Sequence, residues 1–91
     1  MSSNKTLHEK VEEYLGEDEE IMLADGFEDA FIGIGRQFSN PPYAIYDRQK
    51  CIEILMQDDM DYDEAEEYFE YNVQGAYVGE STPCFMNYID I

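Results

Sequence analysis

The sequence DYDEAEEYFEYNVQGA (residues 61–76) predicts an amphipathic helix that must pack on the rest of the chain. Asp61 is a suitable N-cap residue and Glu64 occupies the third helical position, so the pair forms a capping box. One face carries mostly apolar residues at helical spacing: Ala65, Tyr68, Phe69, Asn72, Val73 and Ala76. We expect this face to be buried, including the amide of Asn72, and Gly75 or Gly79 to end the helix.

The segments before this helix predict two further helices and a strand. Thr6 and Glu9 make a second capping box, from which a first helix runs to Gly16. Residues 43–46 (YAIY) are short, apolar and β-prone, which favours a strand. Asp47 then caps a helix that runs to about residue 57. The residues that we expect this helix to bury are Cys51, Ile52, Leu55 and Met56.

Two more segments complete the predicted fold. Residues 31–38 are typical of a strand weakened by glycines, although a helix that begins near Phe27 is an alternative. Residues 84–89, after Pro83, predict a last strand. The chain is therefore expected to be α+β, with an N-terminal helix and two central helices packed on a short antiparallel sheet. We expect residues 1–91 to form this single domain, with residues 1–5 flexible.

The composition indicates a folded protein with an unusual charge. The formal net charge of the 91 residues is −17, from 22 acidic and 5 basic residues. With 44% hydrophobic residues, eight tyrosines and five phenylalanines, the chain is too apolar for a disordered acidic tail. The charge repels nucleic acid and anionic membranes and attracts basic surfaces. Because no stretch approaches the roughly 18 apolar residues of a membrane span, we expect a cytoplasmic protein that binds neither nucleic acid nor a membrane directly.

Residues that commonly bind zinc are too few and too scattered here. Cys51 and Cys84 are far apart in the sequence and lie among apolar neighbours, so we expect both to be buried free thiols. Together with His8, the single histidine, they supply too few ligands for a zinc site.

A calcium-binding loop of the EF-hand type is matched only in part. Glu64 stands where that loop needs glycine for its sharp turn. The residues at the acidic loop positions are Asp59, Asp61, Asp63 and Glu70. No nucleophile–base pair stands near these carboxylates, and they look too solvated for acid–base catalysis. We therefore expect no metal, no cofactor and no enzymatic activity.

The face of the helix opposite the apolar one is acidic. Asp63, Glu66, Glu67 and Glu70 recur at positions i, i+3, i+4 and i+7. Like charges at this spacing cost about 0.2–0.5 kcal/mol per pair, and no Lys or Arg follows Lys50 to offset them. We expect the three glutamates to point outward, so that changing all three to Lys leaves the fold intact. A plain solvated face is the alternative interpretation.

The charge density of residues 58–70 is comparable to that of nucleic acid. This segment contains eight carboxylates. At a helical rise of about 1.5 Å per residue, they give roughly one charge per 2.5 Å, against about one per 1.7 Å of duplex DNA. A rigid face of this kind fits the basic groove of a nucleic-acid-binding protein. The expected partner-binding residues are Asp58, Asp59, Asp63, Glu66, Glu67, Glu70, Tyr71 and Tyr77, the two tyrosines as interface anchors.

Three motifs of the chain resemble a known family. These are IYD (residues 45–47) before a helix, EAEEYFEYN (residues 64–72) and GAYVGESTP (residues 75–83). In these motifs the chain is similar to a family of small proteins encoded by tailed bacteriophages and prophages. The resemblance implies a phage origin, expression in a bacterial cytoplasm, and a role in host takeover or counter-defence. It transfers no catalytic or binding residue.

Two functional hypotheses follow from the sequence. The first is a phage-encoded, non-enzymatic inhibitor of a host protein that acts on nucleic acid, such as a defence nuclease, a restriction enzyme or a CRISPR effector. The alternative is a structural or adaptor module that binds partners through a tyrosine-rich surface, while its acids only confer solubility. The sequence leaves open whether the chain is a monomer or a homodimer.

Overall fold

The computed structural model describes residues 6–76 and 82–89. The helices are α1 (Leu7–Tyr14), α2 (Arg48–Met56) and α3 (Tyr62–Tyr68), and the strands are β1 (Phe31–Gly35), β2 (Tyr43–Asp47) and β3 (Cys84–Met86). A 3-10 turn, Glu28–Ala30, precedes β1, and α3 continues through a π-helical segment, Phe69–Val73, and a 3-10 turn, Gln74–Ala76. The predicted α+β class and order of elements are confirmed. The expected flexibility of residues 1–5 concerns residues outside the described part.

The three strands form a mixed sheet in the order β1-β2-β3. β1 runs antiparallel to β2, with Gly35 opposite Tyr43. β3 runs parallel to β2, with Cys84 opposite Ile45, so the prediction of an antiparallel sheet is wrong for this strand. A parallel pair needs a long crossover connection, and α2 and α3 lie in that connection here. The residues of β3 indicate a strand, but nothing in them sets its direction.

The segment before β2 forms a strand and not a helix. β1 ends at Gly35, earlier than predicted, and its register shifts between Phe31 and Gly33. A Cβ atom at Gly35 would lie only 2.7 Å from the ring of Tyr43, so a larger residue at this position would force that ring to move, and glycine allows the close approach. The alternative prediction, a helix that begins near Phe27, is met only by the short 3-10 turn Glu28–Ala30 before the strand.

Aromatic rings form the centre of the core. Tyr46 packs edge-on against Phe31, with 5.5 Å between ring centroids, and at a shallow tilt against Phe85, at 5.6 Å. Phe69 makes T-shaped contacts with Phe85 at 4.9 Å and with Phe27 at 6.3 Å. Edge-to-face contacts at these distances are favoured by the ring quadrupoles. The connected rings join all three strands to the continuation of α3.

The hydroxyl group of Tyr46 adds a polar contact to this core. It accepts a hydrogen bond of 2.8 Å from the backbone N–H of Ala24, and both residues are buried. A buried backbone N–H without a partner is costly. This hydrogen bond therefore fixes the chain before β1 against β2.

Helix α1 is only lightly attached to the rest of the domain. The predicted capping box is present: Thr6 Oγ1 accepts from the Glu9 N–H at 3.2 Å, and Glu9 Oε1 accepts from the Thr6 N–H at 3.0 Å. The helix ends at Tyr14, and Val11 is its one buried residue. None of the helices within residues 6–76 and 82–89 is long and apolar enough to cross a membrane.

Helices α2 and α3 bury narrower stripes than the sequence pattern predicts. Met56 in α2 is 37% exposed, whereas its neighbours Cys51, Ile52 and Leu55 are buried as expected. The buried residues of α3 and its continuation are Ala65, Phe69 and Val73. Asn72 is exposed, so the predicted burial of its amide is wrong. The core buries the residues spaced at i, i+4 and i+8 along this helix. The adjacent row, which contains Tyr68 and Asn72, stays exposed.

Candidate protein-binding face

The turn between α2 and α3 positions the first acidic residues. The Asp58 N–H donates to the Leu55 carbonyl at 2.9 Å, and Asp59 adopts a φ of 70°, a conformation that Asp tolerates better than most residues. Asp61 then caps α3: its Oδ1 accepts from the Glu64 N–H at 2.9 Å, and Glu64 Oε1 accepts from the Asp61 N–H at 3.1 Å. The predicted capping box is confirmed, and it leaves the side chains of the two preceding aspartates exposed.

The predicted partner-binding residues fall into distinct groups. Four exposed carboxylates, which we call the open carboxylates, have no ion-pair partner among the described residues: Asp58, Asp59, Asp63 and Glu67. Glu66 and Glu70 are ion-paired with Arg48. Tyr71 is 75% exposed. Tyr77 lies outside the described residues.

Arg48 changes the interpretation of the acidic face. Its guanidinium donates to Glu70 at 2.8 Å, lies 3.5 Å from a carboxylate oxygen of Glu66, and sits 5.7 Å from the ring centroid of Phe69. No Lys or Arg follows Lys50, but Arg48 of α2 partly offsets the acidic face from outside α3. Glu66, which we expected to point outward, is instead half-buried beside this arginine. Two of the predicted binding residues instead join α3 to α2. Changing Glu66, Glu67 and Glu70 to Lys would therefore place two new cations, at positions 66 and 70, beside Arg48.

The sequence offered only a weak signal for this contact. Arg48 is separated from Glu70 by 22 positions, so the i, i+4 rule that relates charges on one helix does not reveal the pair. Arg48 is, however, the first residue of α2, where the helix dipole disfavours a cation. A basic residue in that position is stabilised when an acid from another element lies beside it.

The second arginine of the chain is held in a similar way. Arg36 donates through both terminal nitrogens to the two carboxylate oxygens of Glu19, each at 2.7 Å, and its guanidinium lies 5.6 Å from the ring centroid of Tyr14. The hydrogen bond from Arg36, with a further one from the Gly16 N–H, lowers the pKa of Glu19 to about 2. This contact ties the segment after α1 to the end of β1.

A tyrosine-lined depression adjoins the open carboxylates. It has a volume of about 410 Å³ and is lined by Met60, Glu64, Glu67, Tyr68, Tyr71 and Asn72. We call it the tyrosine pocket. Tyr68 is 42% exposed, and Tyr68 and Asn72 also border a second depression whose lining includes Asp58. The face thus presents aromatic rings and carboxylates side by side.

Groups suited to catalysis or metal binding are not assembled in the described residues. No three His, Cys, Asp or Glu side chains there are placed to hold one metal ion. Burial raises the pKa of the Cys51 thiol to about 12, and the charge of Asp47 adds to this effect, so the thiol is a poor nucleophile. Cys84 is exposed, contrary to the prediction, because it begins β3 at the edge of the sheet.

Comparisons with protein families, with curated proteins and with solved structures found no match to this chain. Exposed carboxylates and tyrosine rings attract cations and bind basic groups by charge, hydrogen bonds and ring contacts.

Proposed function

We propose that this chain is a non-enzymatic binding protein that presents its open carboxylates to the basic, nucleic-acid-binding surface of another protein and blocks it. The observation that supports the proposal is that Asp58, Asp59, Asp63 and Glu67 are exposed and lack ion-pair partners in the described residues, within a chain of net charge −17. Such charge costs a small domain stability through self-repulsion. In a complex with a basic partner, the same charges attract the partner's cations, which offsets the self-repulsion.

The charge density still supports mimicry of nucleic acid after Arg48 is counted. Eight carboxylates and one arginine leave seven net charges along the segment of residues 58–70. At the rise of about 1.5 Å per residue that a continuous helix would give this segment, this is roughly one charge per 2.8 Å. The value lies between about 3.4 Å for one DNA strand and about 1.7 Å for the duplex. The spacing therefore suits a groove that accepts a nucleic-acid backbone.

The proposed setting is a bacteriophage protein acting in the bacterial cytoplasm. Its support is the resemblance of the motifs in residues 45–47, 64–72 and 75–83 to small phage and prophage proteins. In that setting the target is a host defence nuclease, a restriction enzyme or a CRISPR effector. Each of these has a basic channel for nucleic acid, which is the complement of an acidic face.

The proposal is tested with two triple variants that remove the same charge from different places. The test variant changes Asp58, Asp59 and Asp63 to Asn. The control variant changes Glu12, Glu17 and Glu20 to Gln, three exposed residues without ion-pair partners in the described part of the chain. Each protein is immobilised and incubated with bacterial lysate, and captured proteins are identified by mass spectrometry. Captured proteins are then mixed with labelled duplex DNA or RNA and each variant.

The expected result is that wild type and control capture a nucleic-acid-binding protein and displace its labelled nucleic acid, whereas the test variant does neither. The displacement should weaken steeply with salt, because exposed charges are screened beyond about 10 Å at 0.1 M. Equal displacement by all three proteins would defeat the proposal.

An adaptor module with an aromatic interface is the second candidate function. It is favoured by the exposure of Tyr71 (75%), Tyr88 (66%) and Phe38 (98%), since aromatic residues are enriched at protein interfaces. In the same experiment an adaptor would capture a partner whose binding responds little to salt and persists in the aspartate variant.

A further inference from the structure

Both arginines of this chain are bound by the same combination of groups. Arg36 lies against the ring of Tyr14 and donates to Glu19; Arg48 lies against the ring of Phe69 and donates to Glu70. The distances agree closely: 5.6 and 5.7 Å from guanidinium to ring centroid, and 2.7 and 2.8 Å from nitrogen to carboxylate oxygen. An aromatic ring beside a carboxylate is therefore an arginine-binding unit in this fold.

The tyrosine pocket contains the same two groups but no arginine. Its lining includes two tyrosines, Tyr68 and Tyr71, and two glutamates, Glu64 and Glu67. Glu64 uses one oxygen in the capping box, and Glu67 has no ion-pair partner among the described residues. The sequence contains only two arginines, and both are already held elsewhere.

The π-helical segment contributes to the shape of this pocket. Phe69 and Val73 are buried, while Tyr71, midway between them, is 75% exposed. Single π turns inside helices are rare and occur frequently at functional sites. Here the segment follows α3 directly and presents Tyr71 on the same side as Met60, Glu64, Glu67 and Tyr68.

We propose that the tyrosine pocket binds an arginine side chain of the partner protein, in preference to lysine. A guanidinium is planar, stacks on an aromatic ring and donates two parallel hydrogen bonds to a carboxylate, whereas an ammonium group is a compact, strongly hydrated charge that does neither. The inference rests on the proposed function only in assuming a basic partner. It assigns recognition to a ring and a carboxylate together, and not to charge density alone.

The experiment uses two small probes of equal charge, N-acetyl-arginine amide and N-acetyl-lysine amide. Each is titrated into the isotopically labelled full-length chain at low salt, and backbone and aromatic NMR shifts are recorded. We expect the arginine probe to shift the signals of Tyr68, Tyr71 and Asn72 and to bind roughly two- to fivefold more tightly than the lysine probe. Tyr71→Ala should abolish this preference, and Tyr71→Phe, which keeps the ring, should retain it.

Tyr88→Ala is the matched control, because Tyr88 is a similarly exposed tyrosine outside the pocket. Equal affinity for the two probes, shifts spread evenly over all carboxylates, or an unchanged preference in Tyr71→Ala would each overturn the inference. The aspartate variant that tests the proposed function leaves the lining of the pocket intact. If the aspartate variant loses target binding and the two probes bind the wild type equally, this inference is refuted and the proposed function stands. If the aspartate variant keeps target binding and the wild type prefers the arginine probe, only the proposed function is refuted.

Discussion

At the residue scale, Phe69 is the side chain on which most of the packing converges. It is completely buried and contacts the rings of Phe27 and Phe85, and Arg48 lies against its face. These neighbours belong to three separate parts of the chain: the segment before β1, strand β3 and helix α2. The ring therefore contacts three elements at once.

We predict that Phe69→Ala lowers the free energy of unfolding by about 3–5 kcal/mol, because a buried ring is replaced by a cavity. This is a large share of the roughly 5–15 kcal/mol that stabilises a typical domain. Chemical denaturation followed by circular dichroism measures the change. Tyr62→Ala, in the first turn of α3 and 40% exposed, is the control and should cost far less. Equal losses in the two variants would show that Phe69 does not occupy the core.

Glu67 in α3 and Glu70 in its π-helical continuation show how one residue type has two roles in neighbouring turns. Glu70 is bound by Arg48, whereas Glu67 has no ion-pair partner among the described residues. We predict that Glu70→Lys destabilises the fold by about 1 kcal/mol, since an exposed pair contributes about 0.2–1 kcal/mol and its reversal adds repulsion. Glu67→Lys should be neutral or stabilising by a few tenths of a kcal/mol. Thermal denaturation of both variants measures the difference, and identical midpoints would contradict the assigned pairing.

At the element scale, contacts between elements are made by a few specific side chains. Glu19 and Arg36 connect the segment after α1 to the end of β1. The pKa of Glu19 is lowered from 4.5 to about 2, so its stabilising contribution is fully present above pH 4.5 and is lost as the pH falls through about 2.

We predict that carboxyl-carbon NMR will show Glu19 titrating near 2 in the wild type and at a higher pH in Arg36→Ala. The reason is that the variant removes the two hydrogen bonds from Arg36 that favour the ionised carboxylate, while the one from the Gly16 N–H remains. A normal Glu19 pKa in the wild type would show that the pair does not form in solution.

The elements that the sequence predicts well are those specified by neighbouring residues. Both capping boxes, the α2 cap at Asp47 and the strand at residues 43–47 depend on residues a few positions apart. The direction of β3 and the pairing of Arg48 with Glu70 depend on contacts 22 or more positions apart. Local patterns carry no information on such contacts. The exposure of the open carboxylates could therefore be predicted from the sequence. The ion pairs of Glu66 and Glu70 with Arg48 could not.

At the scale of the whole molecule, the net charge of −17 opposes compaction. We predict that raising NaCl from about 0.01 M to about 1 M, which shortens the Debye length from about 30 Å to about 3 Å, raises the thermal midpoint. Each kcal/mol gained corresponds to about 4–8 °C for a domain of this size. Differential scanning calorimetry across the salt series measures the effect, and a falling midpoint would show that ion pairs outweigh self-repulsion.

The parallel pairing of β3 with β2 determines when this protein can fold during its synthesis. Ile45 pairs with Cys84, and the ring of Phe85 contacts both Tyr46 and Phe69. A ribosome-bound chain that has been translated only as far as residue 83 contains Tyr46 and Phe69 but lacks β3 and the ring of Phe85, which joins them. The aromatic core is thus completed only after β3 has been synthesised, and until then the nascent chain exposes apolar surface to chaperones and proteases.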